Sequence, residues 1–339
     1  MGEGRDCRRR HPVRAAGRAI RQRRPRALPG APGGTRFVRL HRSRHRDAHP
    51  QAASRRPHRP LARPAARRVA ARRLRASLLA RLPRDDARAG TPSRMTLRNV
   101  WSPQRRNRRD VDVYLPPSYA RGRRRYPVVY MQDGQNLSDP SIAFAGTWDL
   151  HRVLARLALR GIEPIVVGVH NVETRLAEYS PFPDRKHGGG EADAYLAFLI
   201  DTLKPRIDRM FRTRRRASHT AILGSSMGGL VSLYAWFRAP EAFGAAGAMS
   251  PALWYGRERL FDFFESAGVP RGRLYVDVGT AEGATTLADA RAFRSLAAAK
   301  GLRVGDRFSY VEESGARHQE AYWSARLGEA LAFLLRPRT

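Results

Sequence analysis

The stretch His219-Thr-Ala-Ile-Leu-Gly-Ser-Ser-Met-Gly-Gly-Leu230 decides the reading of this chain. An apolar run, Ala221-Ile-Leu223, enters a Gly-x-Ser-x-Gly turn at Gly224 to Gly228 and leaves it through the helix-forming segment Leu230-Val-Ser-Leu-Tyr-Ala-Trp236. A strand that must reverse into a helix within a few residues needs glycines where the two backbones pass, and a serine that tolerates a strained φ/ψ between them. Such a nucleophile elbow lifts Ser226 Oγ clear of the backbone. It also puts the Met227 amide at a helix N-terminus, where unpaired N–H groups and the helix dipole favour an oxyanion.

A serine hydroxyl attacks an ester only when a base takes its proton and an acid orients that base. After Ser226 the chain contains one histidine, His318, in the segment Ser314-Gly-Ala-Arg-His318 between the last expected strand and the terminal helix. Between them, Asp277, Glu282, Asp289, Glu312 and Glu313 are the acids to weigh. Asp277 falls inside a strand and Asp289 well into a helix. Glu282 follows Val278-Gly-Thr280 directly after an apolar strand, where a loop can swing its carboxylate to His318, so Glu282 is the expected acid and Asp289 the next choice. The second oxyanion donor should come from the loop after an earlier strand. Met131-Gln-Asp-Gly-Gln-Asn136 is that loop, with Gly134 expected to let the Gln135 amide turn inward. The string His187-Gly-Gly-Gly190 also resembles an oxyanion-hole motif, but no strand feeds it, and it reads as a flexible connector. Trp254, Tyr179 and Asp133 are candidate substrate contacts. The constellation requires no cofactor and no metal.

Working outward, the segments alternate between strands and helices. Strands are expected at Asp110–Leu115, Tyr126–Met131, Ile165–Val169, Ala221–Leu223, Ala245–Met249, Leu274–Val278 and Arg307–Val311. Helices are expected over Trp148–Leu159, Glu191–Phe211, Leu230–Trp236, Arg257–Ser266, Thr286–Ala299 and Gln319–Leu335. Near-continuous apolar strands separated by helices predict an α/β fold whose mostly parallel sheet is covered on both faces. The interval between Met249 and Leu274 is too short for a large helical lid, so an open site is expected.

Charge divides the chain. Of 339 residues and a net charge of +34, residues 1–94 hold 28 Arg, no Lys and 5 acids, a net +23, leaving +11 for residues 95–339. The first part is Arg, Pro, Ala and Gly with too little apolar surface to offset chain entropy. It reads as a disordered extension, with two alternatives: a basic interaction arm, or a stretch upstream of a true start at Met95. Arg outnumbers Lys 61 to 3 across the chain, a coding bias rather than a phosphate-binding design, so no nucleic-acid partner is expected. Cys7 is the single cysteine, which excludes an internal disulfide in the body. No run reaches the ~18 apolar residues of a membrane span, and no apolar h-region of a signal peptide is present. A cytoplasmic protein is the expectation.

Several segments together resemble the putative esterase family of α/β-hydrolases, which includes enterochelin esterase-like proteins, feruloyl esterase domains and mycolyltransferases. They are Val111–Tyr119 with Tyr126–Asp139, Arg175–Pro181, Gly224–Gly229, Ser250-Pro251 with Trp254, Gly279-Thr-Ala-Glu282, and His318 with Trp323. The similarity spans about Leu97–Leu335 and none of the Arg-rich part. It implies the α/β-hydrolase fold, a serine carboxylesterase with Ser226, His318 and Glu282 as triad and the Met227 and Gln135 amides as oxyanion hole, and a small-molecule or polymer-linked ester as substrate. Acyl transfer by the same triad is the alternative within that chemistry; an Arg-rich binding protein for nucleic acid or acidic surfaces is the alternative outside it.

Overall fold

The computed structural model describes residues 92–337. Up to residue 91, the Arg-rich part lies outside the described residues. Eight strands, β1 Ser93–Ser102, β2 Asn107–Leu115, β3 Val128–Gln132, β4 Ile165–Val169, β5 Thr220–Ser225, β6 Ala245–Met249, β7 Arg273–Gly279 and β8 Phe308–Glu313, form one sheet in the order β1-β2-β4-β3-β5-β6-β7-β8. β1 and β2 pair antiparallel with each other, and β2 pairs antiparallel with β4. From β4 to β8 every neighbour is parallel.

The parallel centre follows from composition. β3, β4, β5 and β6 are buried along their whole length, so their side chains alternate between two apolar layers rather than between core and water. Val128 and Tyr130 enter one core with Ile222, Trp236 and Phe264, while Val129 and Met131 enter the other with Leu223, Trp323 and Leu327. The helix Met227–Arg238 covers the first face; Leu150–Leu159 and Glu320–Leu334 cover the second. Because parallel strands all end on one edge, the loops after β3, β5, β7 and β8 gather there, the usual place for a site in such sheets.

The structure differs from the sequence reading at three places. β1 begins at Ser93, two residues before the expected start of the body, and Arg94 reaches from it to Asp139 at 3.1 Å. Its edge position and half-exposed pattern leave little apolar periodicity to read. The expected helix Glu191–Phe211 is three pieces, with a π-helical turn at Phe198–Leu203; Pro205 lacks the amide that an unbroken helix would donate to Asp201. A short helix, Arg175–Tyr179, stands in a segment given no helix. No helix among the described residues is long and apolar enough to cross a membrane.

Candidate active site

The elbow is built by close approach. A Cβ at Gly224 would lie 2.6 Å from the Gly228 backbone, and one at Gly228 would lie 2.9 Å from Gln132 Cβ. Only glycine fits at either point. Ser226 between them is held at φ 54°, ψ −122°, a strained conformation for a side chain with a Cβ. Its amide donates to Met249 O at 3.0 Å, and its carbonyl accepts from Leu230 and Ala252, so β6 and the helix together fix the turn.

His318, in the loop after β8, faces Ser226. Its Nε2 lies 2.9 Å from Ser226 Oγ and its Nδ1 2.8 Å from Glu282 Oε2. A carboxylate only accepts, so Nδ1 carries the proton, leaving Nε2 free to accept from the serine hydroxyl. Glu282, in the loop after β7, has a fully buried side chain. Its other oxygen accepts from the Gly279 amide at 2.8 Å and from Ser250 Oγ at 2.6 Å. Burial by itself would raise the Glu282 carboxyl, but the bonds from His318, Ser250 and Gly279 outweigh it and hold the group below its ordinary value. Asp289 is not in this cluster: it is bound to Arg257 Nε at 2.7 Å.

Behind Glu282 lies an arrangement that sequence reasoning missed. Ser250 Oγ is 2.9 Å from Trp323 Nε1 and 3.3 Å from Arg326 Nη2. Both partners can only donate, so the oxygen accepts twice and its single proton goes to Glu282. Arg326 also grips both oxygens of Asp277 at 2.9 and 3.0 Å, and the Ser250 amide donates to Asp277. Burial pushes the Asp277 carboxyl up against the pull of Arg326. Ser250 itself sits at φ 44°. Trp323 and Arg326 are three apart on the terminal helix and so share a face; that spacing was the available signal, but an arginine on a helix ordinarily reads as solvated.

The loop after β3 carries Asp133, Gly134 and Gln135 beside the elbow. The expected role of Gly134 differs in kind: its φ is not positive, and the left-handed residue is Asp133 at φ 55°. Gly134 is needed for space, because a Cβ there would lie 2.5 Å from the Gly168 backbone on β4. The Gln135 amide, in the turn Gly134–Asn136, and the Met227 amide, at the first residue of the helix Met227–Arg238, both belong to segments that flank Ser226. Asp133 is spent on structure: Arg175 holds its carboxylate at 2.7 and 2.8 Å, and Asn171 at 2.6 Å. Burial works against the Arg175 charge, but Asp133 outweighs it and raises the guanidinium above its ordinary value. Tyr179, expected to touch substrate, is fully buried; its hydroxyl accepts from the Asp133 amide at 3.3 Å and its ring lies under Arg175. It supports the loop and does not wall the cleft. Trp254 remains 43% exposed. Its ring meets His187 edge-on at 5.8 Å, and the glycines after His187 are pinned rather than flexible, with Tyr255 donating to Gly188 O and the Gly190 amide to Ser180 Oγ. Glu320, two residues beyond His318, is buried, and burial with nearby Asp133 raises its carboxyl.

A family model described as Putative esterase matches residues 102–334. The chain belongs to that family. It is a carboxylesterase-type ester hydrolase. Among curated relatives, an uncharacterized protein of Bacillus subtilis (strain 168), YbbA, is 28% identical over 251 residues, 70% of this chain and 97% of that one. An endo-1,4-beta-xylanase/feruloyl esterase of Xylanibacter ruminicola is 30% identical over 53% of this chain and 23% of its own. A siderophore enterobactin esterase of Emericella nidulans is 32% identical over 27% and 29%. The chain thus spans nearly all of the first relative and under a third of the other two. Among solved structures, the BES protein from Bacillus cereus matches with a TM-score of 0.57 at 20% identity, covering 73% of this chain and 95% of that one. The enterobactin esterase FES from Shigella flexneri, solved in the presence of enterobactin, matches with 0.58 at 19%, covering 71% and 58%. At these identities the structural matches establish the α/β-hydrolase-type fold.

Proposed function

We propose that the protein hydrolyses carboxylic esters through an acyl-enzyme on Ser226, with His318 as general base and acid and Glu282 as its orienting carboxylate. The observation that carries this reading is His318 spanning Ser226 Oγ at 2.9 Å and Glu282 at 2.8 Å. His318 Nε2 takes the hydroxyl proton as Oγ bonds to the ester carbonyl carbon. The carbonyl oxygen takes the negative charge between the Met227 and Gln135 amides, each worth about 3 kcal/mol of barrier. Collapse breaks the bond to the alcohol oxygen, which receives the proton from His318. Water then adds to the acyl-enzyme by the same route, releasing the acid and restoring Ser226.

The substrate is a small-molecule or polymer-linked ester, a reading supported by relatives named as siderophore and feruloyl esterases. Trp254, exposed two residues beyond the Ala252 that clasps the elbow, offers an aromatic wall. Rapid mixing with a nitrophenyl ester tests the covalent step: one equivalent of nitrophenol should be released in a burst before the steady rate, and Ser226→Ala should show neither burst nor turnover. Parent-rate hydrolysis by Ser226→Ala would refute the scheme.

A further inference from the structure

At the end of the sheet opposite Ser226, two arginine-rich loops are fastened together. Arg121-Gly-Arg-Arg-Arg125 leads into β3 and Arg212-Thr-Arg-Arg-Arg216 leads towards β5. Tyr126 N donates to Arg212 O at 2.8 Å and Arg214 N to Tyr126 O at 2.7 Å. The side chains lace the same seam: Arg125 Nη1 donates to Thr213 O, Arg212 Nε to Arg124 O and Arg214 Nε to Arg125 O, each at 3.2 Å. These bonds end on neutral carbonyls, so they fix the guanidinium groups without cancelling their charge.

The seam borders a cavity of about 400 Å³ lined by Arg125, Thr213, Arg214, Arg215, Arg216 and His219. A second, of about 460 Å³, shares Arg214 and His219 and adds Ser218 and Arg336 beside an apolar wall that includes Leu335 and Pro337. No carboxylate lines either. Among the described residues, Arg125, Arg214, Arg215 and Arg216 have no ion pair, and the carboxylates bonded to the two loops have other partners: Asp208 with Lys204 and Thr213, Glu163 with Arg124 and Ser118. A coding preference for Arg accounts for the residue type but not for four unpaired guanidiniums converging on one concavity in loops locked by backbone bonds.

We propose that this groove binds an oligophosphate, a chain of linked phosphates recognised by its charge and by the guanidinium forks. Fork geometry matches phosphate oxygens two at a time, and two cavities that share Arg214 and His219 as walls exceed what a single phosphate fills. Apart from the His219 imidazole the lining contains no aromatic ring, because Tyr119 and Tyr126 are buried beneath Arg212 and Arg124, so there is no row of rings on which bases could stack. The leucines of the second cavity, Leu334 and Leu335, are buried or half-buried rather than protruding, and none of the exposed large apolar residues borders either cavity, which does not suit insertion into a lipid surface. The site lies about 20 Å from Ser226 along the six residues of β5, and does not depend on the ester chemistry.

The test is calorimetric titration of the full chain with tripolyphosphate at low ionic strength. Arg214→Ala/Arg216→Ala and, separately, Arg216→Glu are compared with Arg156→Ala/Arg303→Ala, exposed arginines elsewhere whose removal costs the double variant's charge. Residues 1–91 are common to all, so the difference reports the groove. The groove variants should weaken binding about ten-fold, and the control by less than about two-fold, with wild-type affinity falling as salt screens it. Retained ester hydrolysis shows that the variants fold. ATP in place of tripolyphosphate separates the sources: equal or weaker affinity assigns the groove to the phosphate chain alone, and much tighter ATP binding lost in the same variants means that base or sugar contacts dominate and overturns recognition by the phosphate chain. Equal weakening by groove and control variants, no saturable binding by the wild type, or binding only to anionic vesicles overturns the proposal.

Discussion

Ser250 Oγ donates its only proton to Glu282 Oε1 at 2.6 Å, because Trp323 Nε1 and Arg326 Nη2 already occupy its acceptor sites. The hydroxyl therefore acts as a fixed peg for the carboxylate that orients His318. Ser250→Ala removes a hydrogen bond to a charged group, worth about 1.5–3 kcal/mol. Steady-state kinetics on a nitrophenyl ester should show kcat down by about ten-fold or more with KM little changed, since Ser250 is buried away from substrate.

Much of this site was legible in the chain and some was not, for reasons particular residues make plain. The elbow could be read because Gly224, Ser226 and Gly228 are imposed locally by a strand-to-helix reversal. His318 and Glu282 could be found by order, the first being the only histidine behind Ser226. The peg at Ser250 and its support from Asp277 and Arg326 join β6, β7 and the terminal helix across 76 residues, and no local pattern encodes so distant a pairing. Tyr179 was misread because an aromatic near a site motif has the same letter whether it walls a cleft or lies beneath a loop. The central strands were clear from their apolar runs; β1, at the edge and half exposed, had no such run.

Acid should loosen the fold partly through Glu282. Its carboxyl is held below the ordinary glutamate value of 4.5, so the stability it contributes is complete above that value and disappears as pH falls through the lowered folded-state value. Melting temperatures followed from neutral pH downward should stay level to about pH 5 and then drop. Glu282→Gln should drop less steeply over the same acid range. At neutral pH the same variant should lose about 10²–10⁴-fold in kcat, because an amide NH₂ facing Nδ1 favours the wrong His318 tautomer.

Arg175 and Asp133 hold the loop that carries Gln135. Arg175→Met leaves the Asp133 carboxylate nearly buried with Asn171 as its remaining side-chain partner, a loss of about 1–3 kcal/mol. Differential scanning calorimetry should register a fall of several degrees, at roughly 2–4 °C per kcal/mol for a folded unit of this size. The double variant Arg175→Met/Asp133→Asn should recover part of it, since no charge is then left unpaired. An undiminished melting temperature in Arg175→Met would remove the ion pair from the loop's support.

Gly228→Ala tests the close packing of the elbow. The added methyl would lie 2.9 Å from Gln132 Cβ and 3.3 Å from Asp133 Oδ2, so β3 and the elbow must separate at about 1–3 kcal/mol of overpacking. Esterase activity should fall more than the loss of folded protein explains, because the shift moves the Gln135 and Met227 amides, the oxyanion donors proposed above. Gly122→Ala, where a Cβ meets nothing within 4 Å, should leave both unchanged.

The most direct measurement is reaction of the full chain with a fluorophosphonate probe, followed by peptide mass mapping. The probe should attach at Ser226 with one-to-one stoichiometry, and labelling should be lost in Ser226→Ala and strongly slowed in His318→Ala. Modification at another residue, or an unmodified Ser226 in protein that still hydrolyses esters, would contradict Ser226 as the nucleophile.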